Sequence, residues 1–357
     1  MDKEKILSVD NLSVSFKTQQ GRVKAVRNIS FDLYKGETLA IVGESGSGKS
    51  VTTKSILGLL SKNASIDSGK ILYNGENFVN FVEKDFYKIR GKEISLIFQD
   101  PFSALNPIVK VGKQISEALI LSRGMNKKEA KKKAIELMEI VGIRNAKQRY
   151  NGYPFEYSGG MRQRVVIAIA LASDPQILIC DEPTTALDVT IQSKILNQIE
   201  KIKNERDLSV IFITHDLSVV ANIADRICVM YAGKIVEFGT TEEIFTDPAH
   251  PYTWALLSSM PDLETKERLF AIPGTPPNMI YPPKGDAFAA RNKYAIKLDF
   301  EKEPPFFKLS ETHYAATWLQ HPKAPKVKRP EILEERIKRI VREGGDIGST
   351  KQCTRSQ

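Results

Sequence analysis

Apolar residues recur along this chain in two rhythms. Between residues 6 and 42, short runs (ILSV, LSVSF, ISFDL, LAIVG) alternate with Gly and polar breaks, the period-two signature of strands. They predict an antiparallel layer ending in an all-apolar, buried strand at Thr38–Val42. A helix is expected from Lys49 to about Leu60, and EISLIF (93–98) predicts a second buried strand. From about 101 to 157 the period lengthens. In KKEAKKKAIELMEIVGI, Ala134, Leu137, Met138 and Val141 fall on one helical face, which suggests a helical subdomain inserted between strands. Alternation then resumes: helix 159–173, strand 176–181, helix 190–204, strand 208–214 and strand 226–230. That succession predicts an α/β fold with a largely parallel sheet.

Beyond about 260 the pattern breaks. The proline-rich IPGTPPNMIYPP can continue neither a helix nor a central strand. We expect a main domain over 1–260, a small C-terminal extension domain over 261–330, and a basic helix and tail over 331–357.

The 357 residues, 41% hydrophobic and 27% charged, suffice for two packed units. No apolar run approaches the ~20 residues of a membrane-spanning helix. The opening MDKEKILSVDNLSV lacks the apolar core of a signal peptide, so export is not expected. Cys180, Cys228 and Cys353 are odd in number and far apart, which argues against a disulfide framework. Net charge is +9, but residues 320–357 hold ten Lys or Arg against five Asp or Glu, so about half the excess lies in the tail. That distribution suits an anionic membrane surface as well as nucleic acid.

Chemistry concentrates in three stretches. GESGSGKS, Gly43 to Ser50, fits G-x-x-x-x-G-K-[ST] between a predicted buried strand and a helix, the context a phosphate loop needs. Gly43, Gly46 and Gly48 let the backbone close on phosphate oxygens, with Ser45, Ser47 and Val51 around them. Lys49 would reach the β- and γ-phosphates and Ser50 would ligate Mg²⁺. QILICDEP ends a buried strand in two carboxylates: Asp181 to hold Mg²⁺ through water, Glu182 as general base for a water. YSGGM places Ser158, Gly159 and Gly160 ahead of a helix, a second anion-binding loop.

Taken together these motifs resemble the ATP-binding cassette family, with Gln99 in FQDP, Asp188 in TALD and His215 in FITHD in the same order. The resemblance covers residues 5 to about 260. It implies a P-loop NTPase: a RecA-like core with an antiparallel β layer and an inserted helical subdomain. It also implies roles. Gln99 would sense Mg²⁺ and the attacking water; His215 would contact the γ-phosphate and orient the base; Asp188 would cross a dimer interface. Ser158, Gly159 and Gly160 would touch the γ-phosphate of a partner's ATP. Phe16 would stack on adenine, with Val23 a competing neighbour. Tyr157 and Met161 depart from the commoner Leu and Gln of that signature.

FQDPFSALNP, MYAGKIVEFG, HPYTWALLSSMP and IPGTPPN further resemble the oligopeptide and dipeptide permease group, in its D-type ATPase subunit. That resemblance implies a peripheral ATPase on the cytoplasmic face of the cell membrane. It would form a heterodimer with an F-type ATPase subunit, dock on two transmembrane permease subunits, and serve an extracellular peptide-binding protein indirectly. No nucleic acid is expected as a partner. The alternatives are a cassette ATPase acting on nucleic acid or ribosomes, a non-hydrolysing scaffold, or an importer of another solute such as dipeptides or nickel. Relatives in this group often carry four cysteines in the extension. The matching places here hold Asp286, Asn292, Asp299 and Thr317, so no iron–sulfur cluster is expected.

Overall fold

The computed structural model describes residues 4–100, 104–183, 189–260 and 272–342. Two sheets organise them. The first, in the order β2-β1-β4-β5, is antiparallel: β1 (Lys5–Thr18), β2 (Gly21–Tyr34), β4 (Ala64–Tyr73) and β5 (Glu76–Asn77). The second has eight strands in the order β11-β12-β10-β9-β3-β8-β7-β6. Its parallel part joins β9 (Arg226–Tyr231), β3 (Thr38–Val42), β8 (Ser209–Thr214), β7 (Ile177–Asp181) and β6 (Ile94–Ile97).

The two-residue period divides each parallel strand between two cores. Leu39, Ile41, Ile177, Ile179, Ile211 and Ile213 face the antiparallel sheet, whereas Ala40, Val42, Leu178, Cys180, Val210 and Phe212 face the helical side. A strand buried on both faces reads as one unbroken apolar run, which is why these were visible in the sequence. Cys180 and Cys228 lie in these strands, fully buried, and burial pushes both thiols up. They are core residues.

The helical insert consists of Val111–Arg123, Lys127–Ile140 and Ala146–Arg149. Asn126 starts its middle helix by accepting from the backbone N–H of Lys128 and Glu129 (3.1 and 3.0 Å), while Glu129 reaches back to the Asn126 N–H. Ala134, Leu137, Met138 and Val141 are all buried. The first helix, expected to reach about Leu60, stops at Ile56. Gly58 has φ 61°, and a Cβ there would stand 2.4 Å from the Phe86 ring, so the chain turns away.

The extension is sewn onto the main sheet. β12 (Tyr314–Ala315) pairs antiparallel with β10 (Lys234–Thr240), and β11 (Phe307–Lys308) pairs with β12. Asp286, Asn292, Asp299 and Thr317 are all buried, and each accepts a backbone N–H: from Phe288 (3.0 Å), Tyr294 (2.9 Å), Ile296 (2.7 Å) and Leu319 (3.3 Å) respectively. Phe288 packs edge-on to Tyr231 and Tyr252, and Tyr294 to Trp254. Phe306 is 52% exposed, and its neighbour Phe307 packs edge-on to Trp318.

The basic helix Glu331–Arg342 buries Leu333 and Ile337 against the cassette, and Arg336 donates to the carbonyls of Leu257 and Met260. Its apolar face is therefore occupied by protein.

One buried polar cluster pins the extension to the sheet. Glu237 of β10, fully buried, accepts from the N–H of Ala249 (2.6 Å) and His250 (3.0 Å) and pairs with His313 at 2.8 Å. Burial alone would pull the His313 pKa down, but the Glu237 hydrogen bond and charge more than offset that, so it is raised. Glu237→Ala leaves those donors unpaired and should destabilise the chain by about 3 to 5 kcal/mol in urea unfolding, the usual cost of breaking a buried pair. A raised folded pKa contributes stability that is complete below the ordinary imidazole pKa and is lost as pH rises through the folded value. The gap between wild type and variant should therefore narrow toward alkaline pH.

Candidate active site

Parallel strands point their carboxyl ends the same way, and the residues just past four adjacent ends form the site. The loop Gly43–Gly48 follows β3, His215 follows β8, Asp181 and Glu182 end β7, and Gln99 follows β6. Register fixes their depth: Val42 lies opposite Thr214, Ile213 opposite Asp181, and Cys180 opposite Ile97.

The loop is a cradle only glycine can build. Gly43 (φ 154°) passes so close to β9 that a Cβ would stand 2.1 Å from the Met230 carbonyl oxygen. A Cβ at Gly48 (φ 106°) would likewise stand 2.6 Å from the Ala25 carbonyl oxygen. Ser45 and Gly46 are exposed, and the Ser47 hydroxyl is buried with no protein partner. Lys49 is buried, and its ammonium donates to the carbonyls of Gly43 (2.7 Å) and Glu44 (2.9 Å). Burial pulls its pKa down, opposed by the charges of Glu182, Asp181 and Glu44. Val51 is half-buried in the helix behind, packed on the core.

Ser50 donates its hydroxyl hydrogen bond to Asp181 at 2.8 Å. Burial pushes the Asp181 carboxyl up, only partly opposed by that bond. Two hard oxygen donors side by side, one of them a desolvated carboxylate short of positive charge, fit Mg²⁺ chemistry. Glu182 adopts a left-handed backbone (φ 48°), an uncommon conformation for a residue with a Cβ. Its carboxylate accepts from the Gln99 amide at 3.2 Å and lies 3.3 Å from His215 Nδ1. Both contacts fall on the same carboxylate oxygen, Oε2.

Ser158 caps helix Gly159–Leu171 and accepts from the Met161 N–H at 3.4 Å, a contact local to its own helix rather than one to the phosphate loop of the same chain. Ser158 is exposed and a Cβ at Gly159 would meet open space, while Gly160 is buried. Tyr157, unusual by its family resemblance, is buried and donates its hydroxyl to the Arg149 carbonyl at 2.5 Å. Phe16 and Val23 stand opposite each other across the β1–β2 pairing, both half-buried. Asp188 lies outside the described residues.

Sequence reasoning missed the surroundings of Glu44. Its N–H donates to the Tyr252 hydroxyl (2.8 Å), and its carboxylate receives both terminal nitrogens of Arg291 (2.7 and 3.0 Å). No motif links residues 247 positions apart, so only the folded chain reveals the pair.

Comparison with known proteins agrees with this geometry. Residues 26–185 match the ABC transporter family, and residues 236–297 match the C-terminal region of oligopeptide/dipeptide transporters. The chain is 57% identical to the dipeptide transport ATP-binding protein DppD of Lactococcus lactis subsp. cremoris, over 97% of this chain and 100% of that protein. It is also 57% identical to the oligopeptide transport ATP-binding protein OppD of Bacillus subtilis, over 94% of this chain and 95% of that one. Among solved structures it resembles a dimeric ATP-binding cassette in a post-hydrolysis state with ADP and phosphate (TM-score 0.60, 28% identity, 66% of this chain and 99% of that chain). With its phosphate loop at the end of β3 and relatives this similar over their whole length, the chain belongs to the ATP-binding cassette family, among the ATP-binding proteins of oligopeptide and dipeptide transporters.

Proposed function

We propose that this chain is the ATP-hydrolysing subunit of a peptide importer, working at the cytoplasmic face of the membrane on transmembrane permease subunits. The observation that carries hydrolysis, rather than binding alone, is Glu182 in contact through one carboxylate oxygen with both Gln99 and His215, beside the Ser50–Asp181 pair. The relatives' transport of dipeptides and oligopeptides supports the substrate class. No helix among the described residues is long and apolar enough to cross a membrane, so the translocation path belongs to partner subunits.

In this reading Lys49 exchanges its two carbonyl partners for β- and γ-phosphate oxygens as ATP enters. Ser50, Gln99 and Asp181 would hold Mg²⁺, which when bound neutralises phosphate charge. Glu182 takes the proton of the attacking water as general base, aimed by the Gln99 amide and by His215, which also contacts the γ-phosphate. Phe16 or Val23 covers the adenine. Ser158, Gly159 and Gly160 serve the ATP of a partner cassette, helped by the N-terminal partial charge of their helix. The partner proposed is an F-type ATPase subunit, with Asp188 at the shared interface. The dimeric arrangement of the solved cassette relative supports such pairing. The helical insert over 101–157 is the part we assign to the two permease subunits, because closure of the nucleotide sites moves it through Gln99. The extracellular peptide-binding protein acts on this chain only indirectly, and nucleic acid has no role.

Glu182→Gln should keep ATP binding while steady-state hydrolysis falls by about 10²- to 10⁴-fold, the usual cost of losing a general base. Turnover close to wild type in a phosphate-release assay would remove Glu182 from that role. Ser158→Arg should leave this chain's own ATP affinity intact yet depress hydrolysis in the assembled transporter, because the damaged site is the partner's. Unchanged transport in reconstituted vesicles would contradict the composite site. The four buried oxygen and amide side chains Asp286, Asn292, Asp299 and Thr317 are poor ligands for soft iron–sulfur centres. Anaerobically purified protein should accordingly lack stoichiometric iron and the ~400 nm thiolate-to-iron band.

A further inference from the structure

The extension touches the nucleotide site at both of its ends. At the phosphate end, the Arg291 guanidinium grips the Glu44 carboxylate through two parallel hydrogen bonds, 2.7 and 3.0 Å. This forked geometry is the one arginine supplies and lysine cannot. Arg291 is itself immobilised: its Nε donates to the Pro273 carbonyl (2.7 Å) and Nη1 to the Tyr231 hydroxyl (3.2 Å), and only 6% of the side chain is exposed. Glu44 in turn offers its carbonyl to Lys49 at 2.9 Å, while its N–H is fixed by Tyr252. An unbroken line of contacts thus runs from Arg291 through the Glu44 peptide to the phosphate-binding lysine.

At the base end, the extension lies on the β1–β2 hairpin that carries Phe16 and Val23. The Lys24 N–H donates to the Met279 carbonyl at 3.0 Å. Ile280 sits so close to Gly21 that a Cβ there would stand 2.9 Å from its methyl group. A third anchor stands between them: Glu303 pairs with Arg27 at 3.2 Å and with Lys234.

We propose that the C-terminal extension is part of the ATP-binding machinery, bracing the site at its base and phosphate ends, and that Arg291 is a positioning residue acting through Glu44. The proposal rests on the reading of Gly43–Ser50 as the ATP loop. An ordinary surface ion pair would contribute little to binding. A partly buried fork that fixes the peptide to which Lys49 is bonded sets where the ammonium waits. Removing either partner lets that peptide rotate, which weakens ATP binding but leaves Glu182, Gln99 and His215 in place. The coupling is reciprocal: if docking of the extension favours ATP, then ATP must tighten the docking by the same factor.

The test uses the full-length chain with Mg²⁺, a trinitrophenyl ATP analogue for equilibrium Kd, and ATP for KM and kcat. Arg291→Gln and Glu44→Gln should each raise Kd and KM by about ten-fold, as expected when one charge-assisted contact is lost, with kcat almost unchanged. The double variant should be no weaker than either single one, since the two residues act as a unit. Arg291→Lys should fall between wild type and Arg291→Gln. In the wild-type protein, ATP should slow hydrogen exchange at the amides of 285–292. Unchanged Kd and KM in the single variants, multiplying effects in the double variant, or exchange indifferent to ATP would overturn the proposal. If Arg291→Gln does not fold, the wild-type exchange measurement decides alone. Lys49→Ala is the reference: if it fails to weaken analogue binding, the assignment of the loop is wrong; if it abolishes binding while Arg291→Gln does nothing, only the brace is wrong.

Discussion

Thr38–Val42 is buried on both faces, and it can be so only with β8 and β9 hydrogen-bonded along its two edges in parallel register. β9 turns straight back into β10, but parallel pairing puts the carboxyl ends of β3, β8, β7 and β6 on one side, where each leaves the sheet through a longer connection. Each exit delivers one functional group: a phosphate loop, a histidine, a pair of carboxylates and a glutamine. A slip of one residue in any strand would exchange its two faces and carry its terminal side chain away from the others. The core and the site are therefore set by the same register.

The site's charges are held short of water. Lys49 and Asp181 are both buried, and for both the leading influence is desolvation, which disfavours the charged form. Lys49 spends its donors on backbone carbonyls and Asp181 has one hydroxyl. Neither has a full counter-charge in direct contact, although opposite charges stand nearby. A polyanion arriving with a divalent cation supplies both deficits at once. The Ser47 hydroxyl, buried without a protein partner, fits the same pattern: a polar atom that a bound phosphate would satisfy.

Much of this was legible before folding because it is local or periodic. Unbroken apolar runs announced β3, β6, β7 and β8, and the phosphate loop announced itself by glycine spacing. What escaped was long-range. β4 is mostly exposed or half-buried and carries Gly69 within it, β5 is two residues long, and β10, though largely buried, mixes Lys234, Glu237 and Gly239 with its apolar residues. The attachment of β12 to β10 involves two residues whose composition says nothing about their partner. The first helix stops just before left-handed Gly58, whose missing Cβ leaves room for the Phe86 ring, and Phe307 rather than Phe306 reaches Trp318. The Arg291–Glu44 pair is the clearest case: each residue alone is an unremarked charge, and their meeting is a property of the fold.

The pairing of β12 with β10 also bears on how the main sheet ends. Without the extension, seven residues from Lys234 to Thr240, several of them apolar and buried, would form a bare lateral margin with donors and acceptors awaiting any extended peptide. The extension pairs with Glu237 and Phe238 of that margin and ends the sheet in β11, two residues long and preceded by Pro304 and Pro305. A strand so short, entered through residues lacking an N–H, is a poor template for another chain. The same segment that touches the nucleotide loop thus also leaves the sheet with a margin that pairs poorly with another chain.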